Sequence, residues 1–173
     1  FFTQTKIEVM RGYYYSENLK RFDTYGPPDS IEPDENLLYK GRLAILIGPA
    51  CASACENVAW VFSQLPQVTV LGQYPSNGIM GEVGRGQYKL PDNLSFQIPT
   101  GMDQDMQGNI IVEGTGVIPD KLIPITEADV LGDKDVVLQE AIELLQKPLA
   151  AGIIPSGPPR LLEPSLTLIA AQE

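Results

Sequence analysis

Residues 42–72 read RLAILIGPACASACENVAWVFSQLPQVTVLG, and this stretch decides the fold. Arg42 to Ile47 is a short, near-continuous apolar run, the pattern of a strand buried on both faces. Gly48-Pro49 ends it. Ser53 to Gln64 predicts a helix, with Val58, Val61, Phe62 and Leu65 on one stripe and Pro66 as its stop. Val68 to Leu71 predicts a second buried strand, closed by Gly72. A strand, a helix and a strand in so short a span form a βαβ unit. Its two strands should therefore lie parallel, joined by a right-handed crossover.

Upstream, residues 5–15 (TKIEVMRGYYY) alternate loosely and predict an extended arm. Residues 23–36 gather Gly26, Pro27, Pro28, Pro33 and five acids, which marks a loop. Downstream, Gln87–Leu90 and Leu94–Ile98 flank Pro91-Asp92-Asn93 and predict a hairpin. Asn109–Glu113 is expected to be a further short strand. Asp135–Lys147 predicts a helix, capped by Asp135 and ended by Pro148. Its apolar face would carry Val137, Leu138, Ala141, Leu144 and Leu145. The expected division is a core over 1–147 and a proline-rich tail over 148–173.

A chain of 173 residues is one domain's worth and can bury a sizeable core. Apolar residues are 43% and charged residues 20%, a globular rather than a disordered balance. Twelve Lys and Arg face 22 Asp and Glu, for a net charge of −10. The few cations are scattered, so neither nucleic acid nor an anionic membrane surface is an expected partner. No apolar run approaches the roughly 18 residues of a membrane span, so membrane insertion is not expected. The chain contains no histidine, which removes His-based acid–base chemistry and His metal ligands from what it does alone. Cys51 and Cys55, four apart, are expected to be free, since a bridge at that spacing needs unusual geometry. No cofactor is expected. The chain starts Phe1-Phe2 without Met or a signal-like segment, so it is expected to be a fragment.

Chemistry concentrates at the strand-to-helix turn. Ala52 and Ala54 flank Ser53, and small neighbours let a tight turn push a side chain into the open. Nucleophile elbows use the same device, although G-x-S-x-G itself is absent. The start of the helix adds unpaired N–H groups and a positive dipole end, which favour a developing oxyanion. Ser53-x-x-Glu56 is equally a capping box, in which hydroxyl and carboxylate each satisfy one helix N–H. Spacing alone leaves both readings open.

Four segments widen the view. ACASACENVAW (50–60) resembles the small-Ser-Ala-x-Glu signature of the C-terminal-processing, or tail-specific, serine peptidases. VTVLGQYPSNG (68–78) resembles the strand and Gly-rich loop that follow that family's nucleophile helix. EGTGVIPDKLIP (113–124) resembles its Gly-Val-x-Pro-Asp segment, and GDKDVVLQEAIELL (132–145) its closing helix. The resemblance implies an α/β fold with a crotonase- or ClpP-like core, βαβ units and an added β-hairpin. It implies Ser53 as the acylating nucleophile, the Ala54 N–H as the remaining oxyanion donor, and a polypeptide as substrate.

The chain also departs from that pattern. The family's loop lysine would fall at Gly78, and no lysine occurs between Lys40 and Lys89. Lys89 reads as a solvated strand residue rather than a base. The tricorn-like branch instead draws a histidine from an upstream subdomain, supported by a late glutamate. Glu113 stands in that glutamate's place; it reads equally as an exposed residue ending a strand. The family's oxyanion glycine segment is not present. Asp103-x-Asp105-x-Gln107-Gly108 echoes a calcium loop but lacks the closing Glu. Asn93-Leu-Ser95 matches a glycosylation sequon by pattern only. The expected function is a serine endopeptidase core whose base comes from another segment, so the isolated 173 residues should be inactive. The alternatives are a non-catalytic peptide- or protein-binding module on the same fold and, with less support, a crotonase-type acyl-CoA enzyme. Self-association into a homo-oligomer and an extracytoplasmic location complete the expectations.

Overall fold

The computed structural model describes residues 2–34, 36–84, 86–132 and 134–147. The expected tail over 148–173 lies outside them. In chain order come β1 (Ile7–Ser16), β2 (Arg21–Thr24), β3 (Asp29–Ile31), β4 (Leu43–Ile47) and α1 (Ala54–Ser63). They are followed by β5 (Val68–Gly72), β6 (Gln87–Lys89), β7 (Ser95–Gln97) and β8 (Gly101–Asp105). β9 (Lys121–Leu122), α2 (Glu127–Leu131) and α3 (Val136–Gln146) complete the order.

The βαβ unit forms as expected. β4 and β5 pair in parallel from Leu43↔Val68 to Ile47↔Gly72, and β9 adds in parallel to the far edge of β5. Strand alternation distributes the side chains between two helices. Leu43, Ile45, Ile47, Val68 and Val70 join Ala59, Trp60 and Leu65 in one core, on the α1 side. Ala44 and Leu71 join Ile123, Ala141, Val136, Val137 and Leu144 in a second core, on the α3 side. Leu65, Val68, Val70 and Leu71 are fully buried, and each contributes about 1.5–3 kcal/mol of hydrophobic stabilisation. β4 is nevertheless an edge strand, and its Leu46 stays exposed on the side that α3 covers incompletely.

The α1 face differs from the expected stripe. Val58 is 55% exposed, whereas Glu56, Ala59 and Trp60 are the buried positions. Hydropathy assigns Glu56 to solvent, but hydrogen bonds satisfy it inside. In α3, Asp135 caps the helix by accepting the Leu138 N–H at 2.9 Å. Ala141 is buried, while Leu138 and Leu145 remain about half exposed.

The 5–15 segment is not a free arm. β1 is the centre of an antiparallel sheet, with β2 and β3 along one edge and β8 along the other. A register shift between Glu8 and Met10 lets the consecutive Val9 and Met10 both be buried. The expected 23–36 loop begins with the end of β2 and contains β3, because the edge of β1 supplies hydrogen bonds that local propensity does not register. The expected Asn109–Glu113 strand is reduced to one bridge, Ile110↔Gln104. There the chain turns instead: Val112 has φ 65°, and the Glu113 N–H donates to the Ile111 carbonyl at 2.6 Å. The strand in this region is β8, which holds Asp103 and Asp105 of the calcium-like motif, while Gln107 and Gly108 lie in the turn that follows it.

The hairpin forms with Tyr88 stacked on Phe96 across β6 and β7. Strand alternation puts Tyr88, Leu90, Leu94, Phe96 and Ile98 on one face, all exposed, with Gln87, Lys89, Ser95 and Gln97 opposite. Among the described residues, no helix is long and apolar enough to cross a membrane.

Candidate active site around Ser53

Ser53 is the N-cap of α1, and it is exposed. Its backbone sits at φ 55°, ψ −117°, where residues other than glycine are strained. Such a conformation costs about 1–3 kcal/mol and persists only where its surroundings over-determine it. Here they do. The Ser53 N–H donates both to the Ile79 carbonyl at 2.9 Å and to the Glu56 carboxylate at 3.0 Å. Asn77 ties the preceding residues, its N–H to the Cys51 carbonyl at 2.9 Å and its side-chain amide to the Pro49 carbonyl at 3.0 Å.

The cysteines are not free. Cys51 and Cys55 form a disulfide that closes a small ring around Ser53. The backbone reversal at Ser53 brings their Cα atoms to 5.3 Å, inside the ordinary span for a bridge. Spacing four along a regular strand or helix does not reveal this, since the reversal belongs to neither.

Glu56 organises the neighbourhood. Its carboxylate is fully buried and accepts four hydrogen bonds. Oε1 takes the Ser76 hydroxyl and the Gly78 N–H, each at 2.6 Å. Oε2 takes the N–H groups of Ser53 and Ile79, each at 3.0 Å. Burial pushes the carboxyl pKa up, but the bonds from Ser76, Gly78, Ile79 and Ser53 outweigh it and hold the group below its ordinary value. The capping box is therefore real. It is also part of a larger clamp that fixes residues 76–79 against the start of α1.

The clamp continues into a third segment. The Ser76 hydroxyl accepts the Val117 N–H at 2.6 Å, and the Ser76 N–H donates to the Val117 carbonyl at 3.1 Å. Gly116, at φ 72°, packs its α-carbon against the Ser76 carbonyl, where a Cβ would collide. Gly78, at φ 80°, is closed in by the backbone of Gly114, Thr115 and Gly116. The loop position that could have carried a lysine is thus shaped for glycine.

Glu113 is exposed, and one oxygen of its carboxylate accepts the N–H groups of Met80 at 2.8 Å and Gly81 at 2.6 Å. Ile79 holds Ser53 and the next two residues hold Glu113, so one loop connects the two. Ala54 opens α1, and its N–H meets no acceptor among the described residues. Lys89 lies on the polar face of the hairpin. Asp103 and Asp105 are on β8, and the Asp105 carboxylate accepts from Gln107 and Asn109 of its own turn. No cluster of three or more His, Cys, Asp or Glu positioned for a metal occurs among the described residues.

Sequence reasoning singled out Ser53, Ala54, Glu56 and Glu113 as candidates and did not single out Ser76, which the structure brings against Glu56. The only local trace of Ser76 is a Pro-Ser-Asn-Gly run after β5, which by itself reads as a loop. Its burial depends on Glu56 and Val117, which are 20 and 41 residues away.

The model of peptidase family S41 matches residues 1–123. Among solved structures, the chain is similar to a crystal structure of a peptidase candidate from Parabacteroides merdae ATCC 43184. The TM-score is 0.70 at 24% identity, over 84% of this chain and 45% of that one. The likeness supports the fold, and the chain spans less than half of that protein's length. No match is found among curated proteins. The ordered segments around Ser53, the α/β architecture they build and the family match over residues 1–123 agree: this chain belongs to peptidase family S41.

Proposed function

We propose that the chain is part of the catalytic core of a serine endopeptidase of the C-terminal-processing type, with Ser53 as its nucleophile. The observation that carries this is the strained, exposed Ser53 at the start of α1, fixed by the disulfide, Glu56 and Ile79. A cap alone does not require positive φ, since capping residues ordinarily adopt extended backbone. In the proposed reaction the Ser53 hydroxyl oxygen attacks a peptide carbonyl carbon while a base removes its proton. The developing oxyanion lies toward the Ala54 N–H and the positive end of α1. The amine leaves with a proton, and water then hydrolyses the acyl-enzyme. The base comes from a segment outside these 173 residues, and Glu113 orients it. The substrate is an extended polypeptide, and the exposed apolar face of the hairpin offers a surface for its side chains. The disulfide supports an oxidising, extracytoplasmic setting.

A second reading, a binding module without catalysis, draws on the absence of histidine and the glycine-shaped turn at Gly78. Fluorophosphonate labelling of the full-length protein separates the two. The peptidase reading expects labelling that Ser53→Ala abolishes. Labelling that is absent, or indifferent to that change, would leave the binding module.

A further inference from the structure

We propose that Cys51–Cys55 is a thiol–disulfide exchange site, taking a dithiol reductant as its substrate, and that its redox state sets how firmly the Ser53 turn is held. Three observations carry this. First, the bond closes the ring around a residue whose backbone conformation is strained and persists only under constraint. Second, the two cysteines are unequal: Cys51 is buried, whereas Cys55 is exposed at the second position of α1. Third, the ten-residue α1 presents its positive end to Cys55, which favours a thiolate there.

A thiolate of the reductant attacks the Cys55 sulfur, the Cys51–Cys55 bond breaks, and Cys51 leaves and takes a proton from water. The reductant's second thiolate attacks its own sulfur in the mixed disulfide, releasing Cys55 as a thiolate beside the start of α1. The protein gains two electrons and the reductant becomes a disulfide. After reduction, the bonds from Ser53 to Ile79 and Glu56 remain, but nothing covalent opposes opening of the turn. The effect on acylation rests on the reading of Ser53 as nucleophile; the exchange chemistry does not.

The test equilibrates the full-length native protein in oxidised and reduced dithiothreitol buffers of graded ratio. Free thiols are counted by maleimide mass shift, amide exchange is followed over 51–56 and 76–81, and fluorophosphonate labelling is measured in parallel. Both thiols should appear together without denaturant. Exchange at the Ser53 amide should rise about thirtyfold, the factor that loss of so small a closed ring implies. Labelling should fall in step and return on reoxidation, and Cys55→Ser should behave as the reduced form. Thiols that appear only in denaturant, or a Ser53 amide whose exchange ignores reduction, would overturn the proposal. So would equal labelling of both forms, which leaves the nucleophile reading intact. Changed exchange without labelling in either form would sustain the redox site and refute the nucleophile instead.

Discussion

Replacing Glu56 by Gln is the most demanding perturbation of the site, because it alters a single atom at the centre of the clamp. The carboxylate offers two acceptor oxygens, each taking two donors: Ser76 and Gly78 on one, Ser53 and Ile79 on the other. A glutamine keeps one oxygen and replaces the other with an amide NH2, which cannot accept. With the NH2 toward Ser53 and Ile79, two N–H groups lose their partner; with it toward Ser76 and Gly78, the Ser76 hydroxyl can turn to accept from it and the Gly78 N–H alone is left unmet. An unmet buried donor costs about 1–3 kcal/mol, so the change costs at least that much. That is a large fraction of the stability of an ordinary domain, about 5–15 kcal/mol. Urea unfolding monitored at Trp60 measures the global loss, and amide exchange at Ser53, Gly78 and Ile79 locates it. Ser76→Ala is the milder comparison: it removes one donor and orphans the Val117 N–H, for about 1–3 kcal/mol. The pH dependence follows from the same geometry. The folded-state pKa of Glu56 lies below its ordinary 4.5, so its stabilisation is complete above that value. It is lost as pH falls through the lower, folded-state pKa. Glu56→Gln should lack that acid-sensitive component. A Gln variant within about 0.5 kcal/mol of the parent, with unchanged exchange in the 76–79 loop, would refute the clamp.

Gly116→Ala should destabilise by more than about 1 kcal/mol, since φ 72° and the Ser76 carbonyl both oppose a Cβ; thermal unfolding reads the loss directly. A variant as stable as the parent would show that the Gly116–Ser76 approach is not tight. Asp103 behaves oppositely to Glu56: burial, with the carboxylates of Asp29 and Glu82 nearby, raises its pKa above the ordinary 3.8. The penalty for its charge grows as pH rises through the raised value, so Asp103→Asn should stabilise the protein at neutral pH. That gain should vanish near pH 3.8, where the native carboxyl is already protonated. Chemical unfolding at the two pH values checks this, and an equal effect at both would contradict it.

Legibility in the sequence followed the range of the interactions. The βαβ unit was visible because apolar runs of strand length, a Pro stop and a helical stripe are all local signals. The Asp135 cap was visible for the same reason. β3 was not, because Asp29–Ile31 lacks a strand pattern and pairs only because β1 offers an edge. The expected strand at Asn109–Glu113 failed in the opposite way: its β-prone residues lie at a turn fixed by Val112 and Gly114–Gly116. Val58 was misassigned because hydropathy cannot anticipate that Glu56, with four hydrogen bonds, outcompetes a valine for the interior.

The amino-acid sequence by itself determined the α/β class, the position of Ser53 at a strand-to-helix turn and the absence of histidine from the chain. Those depend on residue identity and on spacings of a few residues. The tertiary structure decided that Cys51 and Cys55 are bonded and that Glu56 is buried. It also decided that Ser76 links the start of α1 to Val117, and that Ser53 and Glu113 share one loop. Each of these depends on backbone reversals and on donors brought from tens of residues away. Such partners have no trace in local periodicity, because a hydrogen bond selects for position in space rather than for distance along the chain.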